Sequence, residues 1–202
     1  TECLEQEGEA SAARLAGRVL SLTALTMMVV SVMLILGAGL IVPATVSGFS
    51  PTQIAETVML TRIMALSPFL LGLSAIMGGV LQATKRFIAF ALAPMLYNFG
   101  IILGILCLAP KWGIRGVALG VVLGTCFHLL AQTLSVLRTH ALAFDLPTYR
   151  EPRLRRMLSL MGPRTAGLAI TQLNLIVLLV LASSLSDGSV SVLAFANNVQ
   201  SV

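Results

Sequence analysis

The sequence predicts an all-α membrane protein, a polytopic bundle of about five complete transmembrane helices plus the start of a sixth. Three observations carry that reading. Apolar residues make up 57% of the 202 positions and charged residues only 10%, against roughly 25% charged in an ordinary soluble domain. Mean hydropathy is +0.95. The apolar residues also fall in runs long enough to cross about 30 Å of hydrocarbon at about 1.5 Å per residue. No period-two alternation marks strands, and in lipid a helix satisfies its backbone groups internally.

The runs follow in order. A polar leader, TECLEQEGEASAARLAGR, has its acids first and Arg14 and Arg18 later. It reads as a surface segment of helical bias feeding the first span, 19–42. VPATVSGFSPTQ, 42–53, is a turn-rich link. The second span, 57–81, carries Arg62 near its start and Pro68 inside. QATKRF, 82–87, is a tight basic hairpin holding Lys85 and Arg86. The third span, 88–109, contains Pro94 and Asn98. A proline frees a carbonyl of the preceding turn, and a polar side chain nearby can answer it. APKWGIRG, 109–116, is a short turn with Trp112 at an interfacial position.

The fourth span is 114–137. The link 138–162 is the longest, and its RLRRMLSLM portion fits an amphipathic helix on the membrane surface as well as a solvated basic loop. The fifth span, 163–185, opens after Gly162 with Pro163 and Arg164, proline being tolerated in a first helical turn. A sixth run starts at 189. The chain opens on Thr1 and stops inside that run, so we expect one membrane domain that is a piece of a longer protein.

The net charge of +5 does not point to nucleic acid, because the basic residues cluster in short loops between apolar runs. Alternating spans place Arg14, Arg18, Lys85, Arg86, Arg138, Arg150, Arg153, Arg155 and Arg156 on one side. Only Lys111 and Arg115 lie in the opposite loops. Basic residues favour the cytoplasmic side, so the leader, the 82–87 hairpin and the 138–162 link are expected there.

Within the spans, small residues recur at packing distance: Gly100 and Gly104, then Gly116, Gly120 and Gly124. This spacing lets helix backbones approach closely, in a fixed contact or a moving one. Thr125, His128, Gln132 and Ser135 fall within about an 80° arc of one helix. That stripe either lines an aqueous cavity or bonds to neighbouring helices. Arg62 either snorkels to the interface or faces a cavity. Gln172 and Asn174 lie about 200° apart on their helix, so they serve different faces.

No catalytic constellation emerges, so an enzyme is not expected. The two histidines, His128 and His140, have no acid or nucleophile at a partner spacing. Cys3, Cys107 and Cys126 show no C-x-x-C pattern. No metal site and no cofactor is expected. Any coupling ion stays open, with His128 the sole protonatable group at depth.

The residues also carry a resemblance. LTRI at 60–63, Gly78-Gly79 followed by Leu81-Gln82, Arg86-Phe87, and Pro94 with Asn98 resemble the MurJ (MviN) family of lipid II flippases. So does MGPRTAGLAITQLN at 161–174. That family lies within the multidrug/oligosaccharidyl-lipid/polysaccharide exporter superfamily. The resemblance implies a MATE-like flippase fold of about fourteen helices, of which this chain covers spans three to eight. It implies alternating access around a central cavity in the bacterial inner membrane. The implied partner is lipid II, an undecaprenyl-pyrophosphate-linked glycan, or a related lipid-linked oligosaccharide.

Substrate-cavity candidates under this reading are Arg62, Asn98, His128, Gln132, Gln172, Asn197 and Asn198. Headgroup candidates are Lys85, Arg86 and Arg164. Where the family often reads Tyr-Ala-Asp-Arg, this chain reads Phe195, Ala196, Asn197, Asn198, which replaces a cavity arginine and its neighbouring acid by two amides. Two other readings stand beside this one: another exporter of the superfamily, and a non-transporting membrane scaffold.

Overall fold

A computed structural model describes residues 9–139, 152–185 and 188–200. Among these residues the chain is helical between short turns. The elements are α1 Glu9–Thr45, α2 Pro51–Met64, α3 Leu66–Ala83, α4 Phe87–Leu103, a π turn Gly104–Leu108, α5 Ala109–Trp112, α6 Ile114–Leu137, α7 Pro152–Ser183 and α8 Ser189–Gln200. Five stretches are long and apolar enough to cross a membrane: Ser11–Thr45, Pro51–Ala83, Phe87–Trp112, Ile114–Leu137 and Met161–Ser183. The apolar stretch Ser189–Val199 is shorter. The expected five spans and a sixth beginning are therefore what the chain builds, and it is a multi-pass membrane protein.

Local chemistry sets the boundaries. The link expected over 42–53 narrows to residues 46–50, because Ser50 and Gln53 form a capping box that starts α2 early. The Ser50 N–H donates to Gln53 Oε1 at 2.8 Å, and the Gln53 N–H donates to Ser50 Oγ at 3.4 Å. Pro51 occupies the first helical position, where its missing N–H costs nothing. Helix α2 stops at Met64, four residues before Pro68, whose ring crowds the Met64 carbonyl and leaves it without a donor.

Helix α3 ends in a Schellman turn. The Arg86 N–H donates to the Leu81 carbonyl at 2.8 Å and the Lys85 N–H to the Gln82 carbonyl at 3.1 Å. Lys85 takes the left-handed position of that turn, with φ 58°. Gly113, with φ 57°, makes the corresponding reversal between α5 and α6.

The junction at Gly162-Pro163 differs from expectation. Pro163 lies inside α7, not in a first turn, and the helix runs unbroken from Pro152. The RLRRMLSLM segment and the fifth span are thus one helix. Residues 140–151 of the long link and residues 1–8 of the leader lie outside the described residues.

The chain forms two compact units. The first contains α1 up to Ile35, the end of α2 from Leu60, and α3 to α6. Helix α6 lies against both α4 and α3. Gly100 faces Gly124, Gly104 faces Gly120, and Gly116 faces the Leu108–Ala109 backbone, so the two glycine series interlock as small residues permit. The π turn sits in this contact. Pro110 has no N–H for the Leu106 carbonyl, and the backbone widens so that the Ala109 N–H reaches the Gly104 carbonyl five residues back. An apolar core of Leu20, Met77, Leu81 and Val136 joins α1, α3 and α6.

The second unit contains Leu36–Met59, α7 from Arg155, and α8. Here the 46–50 turn packs on the end of α7. A Cβ on Gly48 would overlap the Ser183 carbonyl and lie 2.9 Å from the Ser184 Cα.

Candidate functional site

The polar groups of the first unit converge on one buried serine. Ser74 lies on the face of α3 that also buries Met77, Gly78 and Leu81, the i, i+3, i+4, i+7 pattern of a packed helix face. Its hydroxyl donates to Gln132 Oε1 at 2.9 Å and stands 2.6 Å from His128 Nδ1. His128 and Gln132 are one turn apart on α6, so both reach the same point on α3. Ser74 is 0% exposed and Gln132 2%, while His128 is half-buried.

Gly78 gives Gln132 its room. A Cβ there would stand 3.4 Å from Gln132 Oε1 and 3.2 Å from the Phe90 ring. The Tyr97 ring meets His128 edge-on, with centroids 6.5 Å apart. Ser74 was not singled out from sequence. The signal available was its place on the Met77–Leu81 face, where a hydroxyl in an apolar environment needs a partner.

The expected polar stripe of α6 therefore divides. His128 and Gln132 bond across to α3. Thr125, fully buried, answers itself locally through a 2.7 Å bond to the Val122 carbonyl. Elsewhere in the same unit the Arg62 Nε–H donates to the Ile35 carbonyl at 3.2 Å, and the rest of that side chain is exposed. Asn98 is exposed on α4. Among the described residues no hydrogen bond ties its side chain to the carbonyl freed by Pro94, and α4 continues through the proline. Lys85 and Arg86 are exposed at the α3–α4 turn.

In the second unit Arg164, Gln172 and Asn174 are exposed on α7, and Asn197 and Asn198 are exposed on α8. A hollow of about 260 Å³ lies among Gly48, Gln53, Ser183, Ser189 and Ser191. Of the candidates in the first unit, the structure joins His128 and Gln132 through Ser74. Among the described residues no group of three or more His, Cys, Asp or Glu side chains stands close enough to hold a metal ion. The node offers hydroxyl, amide and imidazole groups for hydrogen bonding.

Comparison with known proteins gives this geometry a family. The family profile described as lipid II flippase MurJ matches residues 2–202. The chain is 28% identical over 206 residues to the lipid II flippase MurJ of Burkholderia cenocepacia, covering 98% of this chain and 40% of that protein. It is 32% identical over 160 residues to the probable lipid II flippase MurJ of Rhizobium meliloti, covering 74% of this chain and 29% of that one. The probable lipid II flippase MurJ of Treponema pallidum is 29% identical over 177 residues, 85% of this chain and 32% of its own length. The chain thus spans less than half the length of these relatives. The profile runs through all five spans and the polar node, and the chain belongs to the lipid II flippase MurJ family.

Proposed function

We propose that this chain forms part of a flippase that carries lipid II, an undecaprenyl-pyrophosphate-linked peptidoglycan precursor, across the bacterial inner membrane by alternating access. The observation that supports this reading is the family match over residues 2–202, on a chain with five membrane-spanning helices. The protein acts as a transporter and not as a catalyst. Its leader, the Lys85–Arg86 turn and the 138–162 link face the cytoplasm, on the strength of nine basic residues against two in the opposite loops.

In this reading Arg62, Asn98, His128, Gln132, Gln172, Asn197 and Asn198 serve the substrate cavity. Arginine matches diphosphate geometry, and amides suit the sugar and peptide portions. Lys85, Arg86 and Arg164 meet lipid headgroups at the interface. The test is replacement in cells depleted of their own flippase. The full-length protein restores growth and exposes labelled lipid II at the outer surface. Continued lysis, with membrane expression confirmed, overturns the proposal.

A further inference from the structure

Ser74 has one hydroxyl proton and two polar neighbours. Gln132 presents Oε1, an acceptor with no proton to give, at 2.9 Å. The Ser74 proton is therefore committed to Gln132. The 2.6 Å contact to His128 Nδ1 is then a hydrogen bond only if the imidazole nitrogen is the donor, because two lone pairs would otherwise face each other. The burial of Ser74 and Gln132 keeps water from supplying an alternative partner, and an unpaired polar atom there costs more than the bond yields.

We infer that Ser74 is a positioning residue that holds His128 as its Nδ1–H tautomer, so that the Nε2 lone pair is presented within the span as an acceptor for a neutral hydroxyl or amide N–H of the transported headgroup. A neutral histidine with its Nδ1 proton held has one acceptor and no further donor. It suits the uncharged glycan or peptide part of a headgroup and not its diphosphate. Because the ring is gripped at Nδ1 on one side and flanked by the perpendicular Tyr97 ring, its orientation is set before a ligand arrives. A preorganised acceptor loses less freedom on binding than a free one.

The headgroup part of this inference rests on the proposed flippase reading, and the tautomer part does not. The test uses full-length protein with nitrogen-15 histidine in detergent micelles, the His128 signals being assigned by their loss in His128→Gln. Expected without ligand is a protonated Nδ1 and an unprotonated Nε2. Ser74→Ala shifts His128 toward the Nε2–H form, and Ser74→Thr, which keeps the hydroxyl, restores the original pattern.

Adding lipid II moves the Nε2 resonance of the wild-type protein. In Ser74→Ala the half-saturating lipid II concentration rises roughly 2- to 10-fold, the weight of one neutral hydrogen bond. An Nε2–H tautomer in the wild type, or a tautomer unmoved by Ser74→Ala, overturns the positioning role. A fixed tautomer with no Nε2 response to lipid II in a protein that transports it overturns the acceptor role. Failure of the wild type to transport lipid II at all overturns the flippase reading and, with it, the headgroup assignment, while the tautomer result stands.

Discussion

Gly104 in the π turn and Gly120 in α6 meet backbone to backbone: a Cβ on Gly120 would lie 2.6 Å from the Gly104 Cα. Atoms do not tolerate that distance, and the neighbour is backbone that cannot swing aside. Gly120→Ala must push α4 and α6 apart, with a loss of about 1 to 3 kcal/mol. Gly79 supplies the control, since nothing lies within 4 Å of its would-be Cβ. Gly79→Ala is neutral or stabilises by up to about 1 kcal/mol. Thermal unfolding of the purified full-length protein reads both.

Gln132→Leu tests the polar node as a structural joint. It removes the acceptor of the Ser74 proton while keeping the volume apolar, and leaves the buried hydroxyl with His128 as its remaining polar neighbour. The expected cost is about 1 to 3 kcal/mol. Adding Ser74→Ala to that variant recovers part of the loss, since nothing is then left unpaired on α3. A double variant whose loss equals the sum of the two single losses would show that the two residues act independently.

The turn after α3 carries a lysine where glycine is the common choice. A non-glycine residue in the left-handed region costs about 1 to 2 kcal/mol. Lys85→Gly therefore raises stability by about 1 kcal/mol in a thermal melt. If Lys85 also meets anionic headgroups, the same variant lowers binding of the purified protein to phosphatidylglycerol-containing vesicles. An unchanged melting temperature argues that the turn relaxes around the lysine.

Arg62 joins α2 to α1 through one backbone carbonyl, and its exposed guanidinium retains most of its donors. Arg62→Ala is expected to leave membrane expression within about twofold of wild type and to lower transport by roughly 10- to 100-fold, the range for one lost charge-assisted hydrogen bond. Arg62→Lys keeps the charge without the planar fork and falls between them. Wild-type transport by Arg62→Ala assigns the residue to the interface instead.

The amide pair on α8 gives a test of gain. Introducing Asn197→Asp and Asn198→Arg together adds a fork suited to a diphosphate. Affinity for lipid II is expected to rise by about tenfold, with a smaller rise or a loss for Asn198→Arg alone, where the cation lacks its neighbouring acid. Equilibrium binding to the solubilised protein measures it.

The number and order of the spans were legible because hydrocarbon thickness demands about 20 apolar residues per crossing. The glycine series announced close packing for a similar reason, since only backbone-to-backbone contact requires Gly100, Gly104, Gly116, Gly120 and Gly124 at that spacing. The π turn was not legible, because it arises from Pro110 acting inside a contact whose other half, Gly116 and Gly120, comes later in the chain. Ser74 was missed because a single serine in an apolar run is ordinary until its partners on α6 are known. Pro163 misled in the opposite direction. Proline beside glycine reads as a break, but a long helix can lose one backbone bond and continue.

That continuity makes α7 longer than one crossing of the bilayer core. Its 32 residues make a rod about 48 Å long, while hydrocarbon about 30 Å thick accommodates roughly 20 of them. About a third of the helix is therefore more than the bilayer core accommodates, and Pro163 lies close to that division.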